Sequence, residues 1–295
     1  MSLCLLFGCD QAKNALIRYQ GTSKLVLEDF TGAIQDFNKA IEFNPKDGEA
    51  YYSRGYAKSQ LKDDAGAIQD LDKAIEINPK DGEAYYSRGY SKLQLKDFTG
   101  AIQDLDKAIE INPKDAAFYY IRGTSKLGLD DNMGAIQDFN KSIKLNSKDW
   151  EPYCSRGFSK SQLKDYTGSI QDFNKAIEWN PQDGKSYYSR GFSKLQLDDY
   201  TGAIQDFNKV IGLNSQDGMV YFSRGYAKSQ LEDDNGAIQD FNKAIEINPQ
   251  DGMAYFSRGF SKTHLRDKLG ALSDLNKAKE LGVMEADKFI QEIQK

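Results

Sequence analysis

A glycine recurs at Gly21, Gly55, Gly89, Gly123, Gly157, Gly191, Gly225 and Gly259, each 34 residues from the last. Self-similarity at a fixed period constrains a chain more tightly than its composition does. One short unit copied in register must adopt one local structure in every copy, and each copy must cover its apolar face with its neighbours. With the glycine placed eighth, the units run 14–47, 48–81, 82–115, 116–149, 150–183, 184–217, 218–251 and 252–285, without insertion or deletion. Thirteen residues precede them and ten follow.

Each unit reads as two helices. In the second, Glu49–Lys62 carries Tyr51, Tyr52, Gly55, Tyr56 and Leu61 mostly at spacings of three and four, the period of one helical face. Asp63 and Asp64 interrupt that pattern, and Asp is a residue type that caps a helix start by accepting from its free amides. Ala65–Asn78 then sets Ile68, Leu71, Ala74, Ile75 and Ile77 along a second stripe, and Pro79 ends it because proline cannot continue a helix. Gly55, Ala67 and Ala74 are the small residues that let two antiparallel helices approach closely, with Tyr51 and Leu71 filling the space between.

These units resemble the tetratricopeptide repeat. The resemblance rests on an aromatic at the fourth position (Tyr51), Gly55 at the eighth, Ala67 at the twentieth, Leu71 or Phe37 at the twenty-fourth, Ala74 at the twenty-seventh and Pro79 at the thirty-second, and it spans 14–285. Arg54 at the seventh position and Lys58 at the eleventh depart from the family pattern, as do Ile17 in the first unit and Ser147 and Ser215 in place of the closing proline. The resemblance implies an all-α, right-handed superhelical solenoid of stacked antiparallel helix pairs, with the first helices lining its concave face. Residues 286–295, with Phe289, Ile290 and Ile293 on one face, read as a C-terminal capping helix over the last apolar surface.

The resemblance implies ligand contacts mainly at the second, fifth, ninth, twelfth and thirteenth positions. Here the fifth gives Tyr52, Tyr86, Tyr120, Tyr188, Phe222 and Phe256, interrupted by Arg18 and Cys154. The ninth gives Tyr56, Tyr90, Phe158, Phe192, Tyr226 and Phe260, with Thr22 and Thr124 as gaps. Residues four apart share a helical face, so the resemblance implies an aromatic groove edged by Gln60, Gln94, Gln162, Gln196 and Gln230. The same stripe also reads as packing between adjacent units, and the two readings stand side by side. Tyr51, Tyr85 and Tyr119, at the fourth position, are assigned to the core. A carboxylate clamp of the family's chaperone-binding kind needs Lys and Asn at the fifth and ninth positions, where this chain has Arg18 and Thr22 or aromatics.

Charges recur as strictly as the apolar residues. Asp70, Lys73, Lys58 and Asp63 have counterparts in all eight units, and Arg54 in seven, with Gln20 in the first. Residues shared by every unit serve the architecture every unit shares, and Arg54 is expected to pair with a second-helix carboxylate such as Asp70.

No chemistry of an enzyme is legible. The single histidine, His264, falls on an exposed helix position, and no phosphate-binding loop, metal-ligand spacing or nucleophile elbow occurs. The acidic pairs Asp63-Asp64, Asp130-Asp131 and Asp233-Asp234 sit at turns, where capping accounts for them. Cys154 reads as a small buried or groove-lining thiol. A net charge of -5 gives no footprint for nucleic acid, and no run reaches the ~18 apolar residues of a spanning helix. No cofactor or metal is expected. The functional reading is a non-enzymatic scaffold holding a protein or peptide in its groove; the alternative is a structural or self-associating spacer in a membrane-tethered assembly. The stretch Met1–Cys9 resembles a bacterial lipobox but lacks a basic start. Lipidation at Cys9 would tether the chain to a membrane outside the cytoplasm, and otherwise the run is an incidental apolar tail of a cytoplasmic protein.

Overall fold

The computed structural model describes residues 3–294 except 214–215, with side chains described from residue 12 onward. The chain divides into two compact blocks, Met1–Ser147 and Lys148–Lys295. The first holds α1 (Leu3–Val26), α2 (Phe30–Phe43), α3 (Gly48–Gln60), α4 (Asp64–Ile77), α5 (Gly82–Gln94), α6 (Phe98–Ile111), α7 (Ala116–Leu127) and α8 (Asn132–Leu145). The second holds α9 (Trp150–Gln162), α10 (Tyr166–Trp179), α11 (Gly184–Leu195), α12 (Tyr200–Leu213), α13 (Gly218–Gln230), α14 (Asp234–Ile247), α15 (Gly252–His264), α16 (Lys268–Glu280) and α17 (Ala286–Gln294). Among the described residues there is no strand, and the fold is all-α. Within each block the two helices of a repeat pack on each other, and the second then packs on the first helix of the next repeat. The helix pairs stack as in a tetratricopeptide solenoid.

Aspartate sets nearly every helix start. Asp47 accepts from the Ala50 amide ahead of α3, and Asp63 from the Gly66 amide ahead of α4, with counterparts such as Asp81, Asp97, Asp131 and Asp233. Each such cap contributes about 1 kcal/mol. Between the helices of a pair one residue takes the left-handed conformation: Glu28, Lys62, Lys96 and Asp130 in the first block, Asp198, Glu232 and others in the second, with φ near +60° at Lys62 and its kin. That residue turns the chain so that the next amide reaches back into the finished helix, as Asp63 N–H does to the Lys58 carbonyl at 2.9 Å. Asp64 of the acidic pair is buried and accepts from Ser59 Oγ at 3.1 Å.

The core follows the repeat. Phe37, Leu71, Leu105 and Phe139 in the first block, and Phe173, Phe207, Phe241 and Leu275 in the second, are buried at the twenty-fourth position. Ala33, Ala67 and Ala101 beside them have no exposed surface. The glycine that defines the repeat lies against that large side chain: a Cβ on Gly123 would fall 2.7 Å from Phe139 Cε1. Ile77, at the end of α4, is 37% exposed but still lies against the start of α3, where a Cβ on Gly48 would fall 3.2 Å from Ile77 Cγ2.

The seventh-position arginine is the main polar device. Arg54 on α3 forks onto Asp70 of α4 and sends its third nitrogen, Nη1, back to Asn38 of α2 at 2.7 Å. Arg88 repeats this with Asp104 and Asp72, and Arg122 with Asp138 and Asp106. In the second block Arg190, Arg224 and Arg258 do so with Asp206, Asp240 and Asp274 and with Asn174, Asn208 and Asn242. Each guanidinium also lies over the fourth-position tyrosine, as Arg88 does over Tyr85 at 5.5 Å. Lys58 and its counterparts give most of these carboxylates a second cation, at 2.8 Å for Asp70. The unit that lacks the arginine pairs Asp36 with Lys24 and Lys39 instead.

Helix α17 covers the last repeat: Ala286 and Ile290 join Leu275, Ala278 and Val283 in one apolar cluster. At the other end α1 reaches back through Cys9, whose side chain lies outside the described residues, as Ser215 does. Among the described residues no helix is long and apolar enough to cross a membrane.

Candidate functional site

The aromatics of the first helices separate into two classes by burial. Those at the fifth position, Tyr52, Tyr86 and Tyr120 in the first block and Tyr188, Phe222 and Phe256 in the second, are half-buried. One side of each ring is committed to packing. Tyr120 tilts against Phe139 at 6.0 Å between centroids, Tyr188 against Phe207 at 5.7 Å and Phe222 against Phe241 at 5.8 Å. Tyr86 stacks on Phe118 of the next repeat at 5.1 Å. The ninth-position rings stand further out: Tyr56, Phe158, Phe192 and Tyr226 are 39–46% exposed, whereas Tyr90 and Phe260 are half-buried. The stripe therefore divides: the fifth-position rings are wedges with one face in the core, and the ninth-position rings are largely surface.

In the second block these rings converge. Tyr188, Phe192, Phe222, Tyr226, Phe256 and Phe260 line a single cavity of about 520 Å³ between successive first helices. Gln196 and Gln230, two of the expected edge residues, are on its wall, and Ser223, Ser229 and Ser257 add hydroxyls. Phe158 lines no part of it. Other contributors were not among the aromatics that the sequence pointed to. Met219 and Met253 come from the second repeat position, two residues after the capping aspartate, and are about half exposed. Phe289 comes from α17, where it meets Phe256 and Phe260 edge-on at 5.4 and 5.8 Å. The second position, a ligand-contact position by resemblance, was the available signal for the methionines; Phe289 lies outside the repeat, so no periodicity could reveal it.

The first block presents the same positions in a more acidic setting. Tyr86 is pushed up to about 12, chiefly by burial and then by Asp115 and Tyr90, so its phenol stays protonated and available for hydrogen bonding. Glu83 is also raised, by burial and the nearby Asp115 and Asp81. Arg18 of the first repeat is engaged by Asp47 at 3.0 Å and Glu49 at 2.9 Å, so it is not a free anion receptor. Burial raises the Cys154 thiol above its ordinary value, which disfavours the thiolate form. His264 sets Nδ1 3.2 Å from Asp234 Oδ2 and its ring against Phe260 at 4.5 Å. Among the described residues no group of three or more His, Cys, Asp or Glu could hold a metal ion.

Comparison with known proteins agrees with the geometry. Models described as tetratricopeptide repeat match residues 82–115 and, separately, 48–81, 151–183, 184–217 and 220–251, and one described as TPR repeat matches 27–62. Together they cover more than half of the chain. Among solved structures, PilF of Pseudomonas aeruginosa is 20% identical with a TM-score of 0.61, over 72% of this chain and 97% of that one. A tetratricopeptide repeat protein from Parabacteroides merdae ATCC 43184 is 19% identical, TM-score 0.59, over 84% and 99%. YrrB, described as a TPR protein with an unusual peptide-binding site, is 22% identical, TM-score 0.55, over 65% and 97%. At these identities the likeness concerns the fold alone. Curated proteins gave no match.

Proposed function

Because the chain belongs to the tetratricopeptide-repeat family, we propose that it is a non-enzymatic scaffold that binds a protein or peptide against the first-helix face of its repeats. The observation that carries this reading is the half-committed state of the aromatics. Rings such as Tyr188 and Phe222 are fixed on one side by Phe207 and Phe241 and offer the other side to an open cavity. Rings already held cost little conformational entropy on binding, and Tyr and Phe provide large apolar area, which makes them natural interface anchors. YrrB, with its peptide-binding site, supports the choice of a polypeptide ligand. Lipidation at Cys9 gains no comparable support.

The test is a pull-down from source lysate with wild type and with a Tyr86→Ala, Tyr90→Ala, Tyr188→Ala, Phe192→Ala variant, its fold checked by circular dichroism. A partner kept by wild type and lost by the folded variant supports the reading; a partner kept by both moves binding off this face. Should the quadruple variant unfold, Tyr56→Ser, Phe192→Ser and Tyr226→Ser address only exposed rings and answer the same question. A second reading, self-association, is favoured by the outer face of α1, where Leu16, Tyr19 and Val26 are 57–79% exposed. A mass by light scattering that rises with concentration and is reset by Tyr19→Ser would support it.

A further inference from the structure

We infer that the cavity in the second block receives an uncharged apolar segment of the partner chain, and that Met219 and Met253 set that preference. This rests on the scaffold reading and narrows it to one block and one ligand chemistry.

Charge carries the argument. Over a quarter of the chain is Asp, Glu, Lys or Arg (28%), yet none of these lines the cavity. A charged side chain entering it would give up hydration and meet no counter-charge, whereas aliphatic or aromatic groups lose nothing and cover apolar surface. The only polar groups on the wall are neutral hydroxyls and amides such as Ser223, Ser229 and Gln230, suited to a partner's backbone rather than to an ion. A volume of about 520 Å³ lies inside the ~300–1,000 Å³ of ordinary ligand pockets.

The second repeat position makes this a choice within the chain rather than a property of the repeat. Glu49, Glu83 and Glu151 occupy it in three other repeats, Lys185 in a fourth and Ala15 and Ala117 in two more, and the helices of the charged ones start in the same way, capped by the preceding aspartate. The fold thus accepts a carboxylate at a site where Met219 and Met253 stand. Methionine is unbranched and polarisable and adapts to apolar partners of differing shape. Leaving two of them half exposed beside a ring-lined hollow is otherwise an unfavourable surface.

The test selects random short displayed peptides on the intact chain and measures the affinity of one enriched sequence by fluorescence anisotropy. The expected winners carry two or more Leu, Ile, Phe, Met or Trp anchors without charge between them. Met219→Glu with Met253→Glu should weaken binding by about tenfold or more, while Lys73→Ala, on the exposed second-helix surface of the first block, leaves it unchanged. Enrichment of charged sequences, or indifference to the methionine changes, overturns the inference. If binding instead depends on Tyr86 and Tyr90, the scaffold reading stands and this one falls; if no peptide is enriched, both fall.

Discussion

Replacing Arg88 by methionine tests whether the arginine fork is structural or a surface decoration. Its side chain is 17% exposed and that of Asp104 only 6%, so the pair is largely withdrawn from solvent. Arg88 Nε donates to Asp104 Oδ2 at 2.9 Å and Nη1 to Asp72 Oδ1 at 2.6 Å. Removing one member of a buried pair costs about 3–5 kcal/mol. Asp104 keeps Lys92 at 2.8 Å and is not left unpaired, which argues for the lower end. Losing the cation–π contact with Tyr85 adds ~0.5–1 kcal/mol. The expected loss is therefore about 3 kcal/mol, against ~0–1 kcal/mol for a solvent-screened surface pair. In urea unfolding followed by circular dichroism the midpoint should fall by about 1 M or more. Because Arg88 joins α4, α5 and α6, the transition should also broaden as neighbouring repeats uncouple. Asp72→Asn is the control: Asn38 and Asn174 hold the same arm in other repeats, so that change should cost under about 0.5 kcal/mol. A loss below about 1 kcal/mol for Arg88→Met would refute the reasoning.

Four further outcomes can be measured by the same unfolding assay. Gly123→Ala should destabilise by about 1–3 kcal/mol, since its Cβ would sit 2.7 Å from buried Phe139; Gly212→Ala, with nothing within 4 Å, should stabilise by about 0.5–1 kcal/mol. Lys96→Gly should stabilise by about 0.5–1 kcal/mol, the left-handed strain at φ 62° outweighing the extra freedom of the unfolded glycine. Burial pushes the Asp36 carboxyl up, but hydrogen bonds from Lys24 and Lys39 more than offset this and hold it below the ordinary value. Its contribution is therefore present above the usual Asp range near ~4 and lost as pH falls through the lower folded value. Lys24→Met should flatten that acid limb, and an unchanged limb would show that the pairing is inconsequential.

Much of this architecture was readable because it repeats. In the second repeat the pattern located both helices to within two residues, whereas α1 begins at Leu3, well ahead of the first unit, and the recurrence of Arg54 with Asp70 pointed to the pair that forms. The third arm of Arg54, to Asn38, was not legible, because it joins helices of different repeats and depends on their relative rotation. Burial of the aromatic stripe was ambiguous for a similar reason. Tyr188 and Phe192 share a helical face, and only the placement of Phe207 beneath the first separates wedge from surface. The methionines were hidden because the second position varies along the chain, holding Ala15, Ala117 and Lys185 as well as Glu49, Glu83 and Glu151.

Phe289 has a consequence for how such an array can be lengthened. Since a wall of the cavity comes from outside the repeats, a copied unit placed between α16 and α17 would part Phe289 from Phe256 and Phe260. The new neighbours of Phe289 would have to bring aromatic rings of their own at the fifth and ninth positions. A copy inserted further upstream leaves that corner intact. Duplication and engineering therefore meet different tolerances along one chain: the interior can be lengthened without touching the pocket, whereas the junction with α17 accepts only a unit that resembles the last one.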